Sequence, residues 1–595
     1  DFIKMSHLWN IIVLCYFLKS TYCAEKVELC DICKCDQIHG ANIKFIISCK
    51  FTSVDWENIN WPRNNENLPM ELHISGGNGA PTTLSSFPYN DQLKVLNITS
   101  SNIRANTPGA FKNLPNLEHL SLCNNSLKYL SGNIFQGLQN LRSLDISENK
   151  LSEISGEVLK DLETLEEFYM KGNELIKVPV EVLSHLNNLV KLDLSSNMIF
   201  ILKLNDLKLP KLKDLNLSEN NLTVIASDTF SGLNALEHLN LSKNKIANVE
   251  SLAFDIKTLK TIDVSHNRLS TAITLSENVQ SINLEWNYYN FWPFEHSFAQ
   301  LQYLNLRENN LWEVHLDDSY GKLETLLLSG NVLTKLPNVK LNELSTLDLA
   351  DNDLTTLPEE LDINFMPNLR NLVLSGNPIK ELHFDKILHL ENLQVNDMPR
   401  LKKISGLENI HGRKSVDTLS EPCVDLSISN CKELIRLQDD IFENINLCSL
   451  NLSDNALSTV PLSVPEGVKL DLQNNPLACT CGLQWFLDEI LPGLYKSHQN
   501  VLHDLRCDGV RLVYWYNWPG KVLCDETTNK KSDLRDLSQA STKMNQRTLK
   551  SGQAFYAIAG ACLAVLICLV AVGMYHTRVQ TRKLKAIRRN RRLLT

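Results

Sequence analysis

At 595 residues the chain exceeds the ~250–300 residues at which a single core stops growing, so it is several domains or a repeat array. Its 21% charged and 43% hydrophobic residues exclude both a disordered polar chain and a multi-span membrane protein. The formal charge of −9 is uneven: the last twenty residues hold eight Lys or Arg and no acid, leaving −17 ahead of them, a poor match for nucleic-acid phosphates.

Residues 8–18 form an apolar run too short to cross a bilayer and long enough for a signal-peptide core. With Met5 as the start, and Thr21 and Cys23 at the −3 and −1 positions, residues 5–23 read as a signal peptide and Ala24 as the first mature residue. No Lys or Arg separates Met5 from the apolar run, so a retained N-terminal anchor stays open. Cys30, Cys33, Cys35 and Cys49 fall in an N-terminal segment, 24–66, and Cys479, Cys481, Cys507 and Cys524 fall within 475–526. Behind a signal peptide, such clusters suit paired disulfides in an oxidising compartment better than a zinc or redox C-x-x-C.

Residues 67–478 repeat one pattern. L-x-x-L-x-L-x-x-N-x-L is clean at Leu141, Leu144, Ile146, Asn149 and Leu151, and returns at Leu165, Phe168, Met170, Asn173 and Leu175. It starts at 17 places between 93 and 467, mostly 20–25 residues apart, and residues 69–76 with Leu72 and Ile74 look like a degenerate eighteenth. The L-x-L core predicts a short strand with its leucines facing in. The ninth-position Asn predicts a side-chain amide that satisfies backbone groups hidden from water. It is present in all but three repeats, which have Ser101, Met398 and Cys431 instead. Phe111, Phe135, Phe230, Phe254 and Phe442 predict a second apolar spine on the far side of the coils. Residues 402–422 break the rhythm with a basic insertion expected to be a surface loop.

Beyond the second cysteine cluster, 527–553 reads as a juxtamembrane stalk. Residues 554–575 hold no charge for 22 positions, about 33 Å of helix, enough to span a bilayer. The eight basic residues of the tail, 576–595, place it in the cytoplasm by the positive-inside rule. The expected topology is a single-pass type I plasma-membrane protein with its ectodomain outside.

The repeats and their cysteine-rich flanks resemble the extracellular leucine-rich-repeat family. The motif from Asn475 through Cys479, Cys481 and Trp485 to Phe486 is similar to that family's C-terminal cap, and Cys30, Cys33, Cys35 and Cys49 to its N-terminal cap. The resemblance implies an α/β solenoid, a horseshoe with a concave parallel sheet, disulfide-capped at both ends. It implies the pairs Cys30–Cys35, Cys33–Cys49, Cys479–Cys507 and Cys481–Cys524. The layout is similar to Tartan- and Capricious-type adhesion proteins and to Toll-type receptor ectodomains, although twenty tail residues cannot hold a Toll-type signalling domain.

In such a solenoid the outward strand positions form the surface open to a partner. Tyr169, Trp286 and Tyr303 are the aromatic candidates there, with Trp286 expected on a strand, while Tyr289 and Trp292 fall at core positions. Sequons occur at Asn97, Asn124, Asn216, Asn221, Asn240 and Asn451, though N-L-S arises readily from the repeat itself. Cys423 and Cys448 sit at nearby positions of successive repeats and could pair, which leaves Cys123 without an evident partner. No catalytic motif, metal-ligand set or cofactor loop is present: Gly76-Gly77-Asn78-Gly79 lacks the strand–helix setting of a dinucleotide loop. The expected function is protein binding at the cell surface, in adhesion or recognition. The alternative is a co-receptor, decoy or modulator of a signalling receptor such as a Toll-type one.

Overall fold

Successive side chains of an extended segment alternate between two faces, so each L-x-L core can bury one face and show the other. In the computed structural model the strand Ser143–Asp145 does this, with Leu144 fully buried between two half-buried outward residues. The structure describes residues 27–38, 44–50, 56, 59–62, 68–76, 82–413, 422–497, 499–502 and 504–512. The expected signal peptide, stalk, membrane span and tail lie outside the described residues. Among the described residues no helix is long and apolar enough to cross a membrane.

The chain forms two compact units, Asp1–Ala456 with Ser463–Leu470, and Leu457–Leu462 with Asp471–Thr595. In the first unit, strands from Lys44–Lys50 through Met70–Ser75 and Leu93–Thr99 to Leu447–Asn451 pair in parallel, coil after coil. The register is strict: Leu120, Leu144, Phe168, Leu192 and Leu215 are successive partners, and their buried side chains make one column. The degenerate stretch joins as the strand Met70–Ser75, with Leu72 and Ile74 buried. At the N-terminal edge, Lys34–Ile38 runs antiparallel to Lys44–Lys50 and covers what would otherwise be an open strand. That hairpin is tied by Cys30–Cys35 and Cys33–Cys49, with Cα separations of 5.6 and 4.8 Å.

The ninth-position asparagines bind the coils together. Asn149 Nδ2 donates to Leu122 O of the preceding coil at 3.0 Å and to Ile146 O and Ser147 O of its own, while its Oδ1 accepts the Leu127 N–H at 3.0 Å. Asn197 and Asn244 repeat the set. Cys431 takes the same place with a thiol that donates to Val395 O and Ser429 O, both at 3.4 Å. Among the described residues the Ser101 hydroxyl donates only to Thr99 O of its own coil, and Met398, with no donor, is simply buried. The residue before the ladder position turns the chain through left-handed backbone in coil after coil. It has φ of 49–60° where it is not glycine, and 66–75° at Gly172, Gly330 and Gly376.

On the far side, Phe87, Phe111 and Phe135 stack at 6.0 and 6.4 Å, and Phe230 on Phe254 at 6.2 Å. These return segments correct the expected α/β class to a β-solenoid. Among the described residues of the coils only Val180–Leu183 is α-helical, Asp318–Tyr320 and Leu407–Asn409 are single 3-10 turns, and the other return segments turn or make short strand pairs and bridges. A return path of about a dozen residues is too short for a stable helix, and side-chain stacking replaces it. The described part of the insertion, residues 402–413, is also more than a loop. Lys403–Ser405 pairs with Glu381–His383 and Ile410–Gly412 with Leu388–Leu390, because Ile404, Leu407 and Ile410 are buried beneath them.

The second unit has the short helix Leu491–Ser497 following a turn of π-helix, Phe486–Ile490, with Leu483, Phe486, Ile490, Leu491 and Leu494 forming its core. Cys479 is bonded to Cys507, with Cα atoms 5.1 Å apart, and the Cys479 N–H donates to Asp508 Oδ2 at 3.1 Å. Cys481 is disulfide-bonded as well; Cys524, its expected partner, lies outside the described residues.

Candidate functional site

Two surfaces of the first unit are open to a partner: the outer face of the sheet and the flank that follows each asparagine turn. On the sheet face, the fifth-position residues act first as turn closers. Asp145 Oδ1 accepts the Ser147 N–H at 2.9 Å, and Asp193 and Asp263 do the same for Ser195 and Ser265. Asn216 and Asn240 accept both the N–H and the hydroxyl of Ser218 and Ser242. The recurrent N-L-S therefore has a structural cause: it is an Asx-turn with a leucine at its centre.

The edge of that face carries charges paired between coils: Lys94 with Glu118 at 2.7 Å, Arg142 with Glu166 at 2.8 Å, and Glu237 between Lys213 and Lys260. Hydrogen bonds from Lys213 and Lys260 hold the Glu237 carboxyl down at about 2. Farther on, Arg307 reaches across a whole coil to Asp348, with Nε 2.9 Å from Oδ2. Paired charges leave little net potential for a charged ligand. A shallow depression of about 390 Å³ opens between Lys191 and Tyr303, floored by polar side chains including Asn216, His238, Asn240 and Asp263.

Tyr169 lies on this face in the strand Glu167–Tyr169. Its hydroxyl donates to Glu167 at 3.2 Å, and Lys191 Nζ sits 5.3 Å from its ring centre. Tyr303 opens the strand Tyr303–Asn305 at the end of the depression, where burial raises its phenol. Trp286 is not on a strand, contrary to expectation. The strand of its coil is Ser281–Asn283, and Trp286 occupies the left-handed turn position at φ 53°, half exposed and stacked on His266 at 5.8 Å. The turn carries Trp286 off the sheet face and onto the flank, away from Tyr303.

On the flank Trp286 has company. Tyr288, Phe291 and Trp312 are exposed there by 64, 42 and 58%. Tyr289 and Trp292, between them in sequence, are buried, and the Tyr289 phenol is raised by burial with no hydrogen-bond partner for its oxygen among the described residues. Three to five coils earlier, Ile176, Met198, Phe200, Ile201 and Val224 form a second exposed apolar set, unnoticed in the sequence. The signal was the run Met198-Ile199-Phe200-Ile201, of which a coil can bury only Ile199.

The sequon residues divide between the two surfaces. Asn97, Asn216, Asn240 and Asn451 stand on strands, Asn124 at a left-handed turn, and Asn221 on the flank beside Ile199, whose carbonyl accepts its N–H at 2.8 Å. Cys423 is bonded to Cys448, with Cα atoms 5.2 Å apart. Cys123 and Cys431 are free thiols, each pushed up to about 11, chiefly by burial.

A family model described as "Leucine rich repeat" matches residues 91–151, 139–199 and 207–246, the coils whose register is described above. These coils are leucine-rich repeats. Among curated proteins, the chain is similar to the transforming growth factor beta activator LRRC33 of Danio rerio, 29% identical over 34% of each chain. It is also similar to the transforming growth factor beta activator LRRC32 of Pongo abelii, 28% identical over 31% of this chain and 32% of that one. It thus spans about a third of the length of these relatives. The APL1 leucine-rich repeat domain is 23% identical in structure-based alignment, covering 65% of this chain and 90% of that one, with a TM-score of 0.44. As in any leucine-rich repeat, inward positions build the stack and outward ones are left to vary for contact.

Proposed function

We propose that this leucine-rich-repeat protein is a single-pass type I plasma-membrane protein whose ectodomain binds another protein in adhesion or recognition. The observation that carries the reading is the cluster of Trp286, Tyr288, Phe291 and Trp312, exposed on the flank of adjacent coils. Large aromatics held on rigid backbone lose little entropy on binding and supply most hot spots of protein interfaces. Trp286 is the centre of the proposed contact; Tyr169 and Tyr303 on the sheet face are the other candidate contacts. The chain works without catalysis or cofactor in this reading. In the test, cells displaying the full chain are mixed with one another and with other cell types. Clustering is expected with at least one partner population, and no clustering with any would overturn the adhesion reading.

A second reading is favoured by the relatives, which are named as transforming growth factor beta activators. Here the solenoid is a co-receptor or modulator that holds a soluble growth factor or a neighbouring receptor. Proximity labelling around the displayed chain is expected to mark a growth factor or signalling receptor, and finding neither would remove this alternative.

A further inference from the structure

The depression on the sheet face is lined by polar side chains together with Leu215, Leu239 and Ile262, includes two sequon asparagines, and has a tyrosine ring at one end. Asn216 and Asn240 are in-register partners on neighbouring strands. Their side chains point differently. Asn216 Nδ2 donates back to Asp193 Oδ2 at 3.2 Å, toward the preceding coil. Asn240 uses its Oδ1 for Ser242, and its Nδ2 makes no hydrogen bond among the described residues. From Asn240 the row of register partners runs through Asp263 and Asn283 to Asn305, with Tyr303 two residues back on that last strand, so three strand spacings plus two residues along the strand separate Asn240 from Tyr303, roughly 16 Å.

We propose that Asn240 carries an N-linked glycan whose first sugars lie in this depression with Tyr303 as their aromatic wall. The inference rests on the reading that the chain enters the secretory pathway. The chemistry leaves the turn intact. The sugar donor is an oligosaccharide linked to a lipid pyrophosphate. A bond forms between the sugar C1 and Nδ2, the C1–O bond to pyrophosphate breaks, and the lipid pyrophosphate leaves. One Nδ2 proton passes to a base, and Oδ1, which caps Ser242, is untouched. The amides and carboxylates along the floor match sugar hydroxyls, and a phenol ring packs against a sugar's C–H face. A second sugar on Asn216, one strand spacing (about 4.8 Å) away, would need the same volume, so the two positions exclude each other. A glycan held this way takes Tyr303 out of the candidate partner contacts and leaves Tyr169 and the Trp286 flank open to a protein partner.

Asn216, Asn221 and Asn240 fall between Lys213 and Lys243, so trypsin releases all three on one peptide, 214–243. The full chain, made in a secreting animal cell, is treated with peptide N-glycosidase in heavy-oxygen water, native or denatured, and this peptide is sequenced by mass spectrometry. Asn240 is expected to be labelled, with Asn216 unlabelled on the same molecules. Removal from the native protein is expected to be at least tenfold slower at Asn240 than at a labelled flank or turn position such as Asn221 or Asn124. Tyr303→Ala should abolish that difference. An unlabelled Asn240 on molecules labelled at other sequons overturns the proposal, as does co-labelling of Asn216 and Asn240, or equal native release. If none of the six sequons is labelled, the secretory reading fails and this proposal falls with it.

Discussion

Replacing Asn197 with leucine tests the asparagine ladder at its most regular point. The side chain is buried and makes four hydrogen bonds: it accepts from Leu175 N–H at 3.0 Å and donates to Met170 O, Leu194 O and Ser195 O at 3.0–3.1 Å. The three carbonyls keep other donors after the substitution, since Asn173 serves Met170 O, Asn220 serves Leu194 O and the Gly172 N–H serves Ser195 O. Only the buried Leu175 N–H is orphaned. An unpaired buried donor costs ~1–3 kcal/mol and each shared bond lost ~0.5–1 kcal/mol, offset in part by the extra apolar burial, for a net loss of about 3 kcal/mol. Asn197→Cys should cost about half as much, because a thiol there can donate as Cys431 does. Equilibrium urea unfolding of the purified chain reads both losses, and hydrogen exchange at Leu175 reads the orphaned amide. Leucine and cysteine variants both within about 1 kcal/mol of the parent would refute the ladder as a stabilising element.

Opening the Cys423–Cys448 disulfide with paired serine substitutions frees a loop of 25 residues, for which chain entropy predicts a loss of about 3.5 kcal/mol, measured by the same unfolding experiment. Glu237 has a depressed carboxyl, so its interaction with Lys213 and Lys260 is complete above pH 4.5 and is lost as pH falls toward about 2. Carboxyl-carbon NMR should find that low titration, and the double substitution Lys213→Ala, Lys260→Ala should raise it. Cys123, pushed up to about 11 by burial and by Asp145 and Glu148, should alkylate at pH 8 about a hundredfold more slowly than an ordinary exposed thiol. Such a thiol is also a slow partner for an intermolecular disulfide.

The coil phase was legible because burial enforces it: a leucine at position 4 or 6 and an asparagine at position 9 have one place to go. The degenerate coil at Leu72 and Ile74 was legible for the same reason. Trp286 was misplaced because strand length is set by where the backbone turns, and a left-handed residue followed by a ladder asparagine ends the pairing. Gly172, Gly330 and Gly376 at the equivalent position were the available clue. The α/β class does not hold because helix in the described return segments is limited to one turn at Val180–Leu183 and 3-10 turns such as Asp318–Tyr320. The contact of Arg307 with Asp348 spans 41 residues and depends on what stands between them, which no local pattern records. The serine two residues after Asn216 and Asn240 reads equally as a sequon and as a turn, and only the direction of each amide separates the two asparagines.

The central claim is that the flank, with Trp286 at its centre, is where a partner protein binds. The direct measurement is clustering of cells that display the full chain with Trp286 and Trp312 both replaced by alanine, beside cells displaying a Tyr169→Ala, Tyr303→Ala chain, at matched surface levels. The account predicts that the tryptophan variant loses clustering at least tenfold while the tyrosine variant keeps it. Clustering that survives the tryptophan substitutions and disappears with the tyrosine ones would contradict it, and would place the partner on the sheet face.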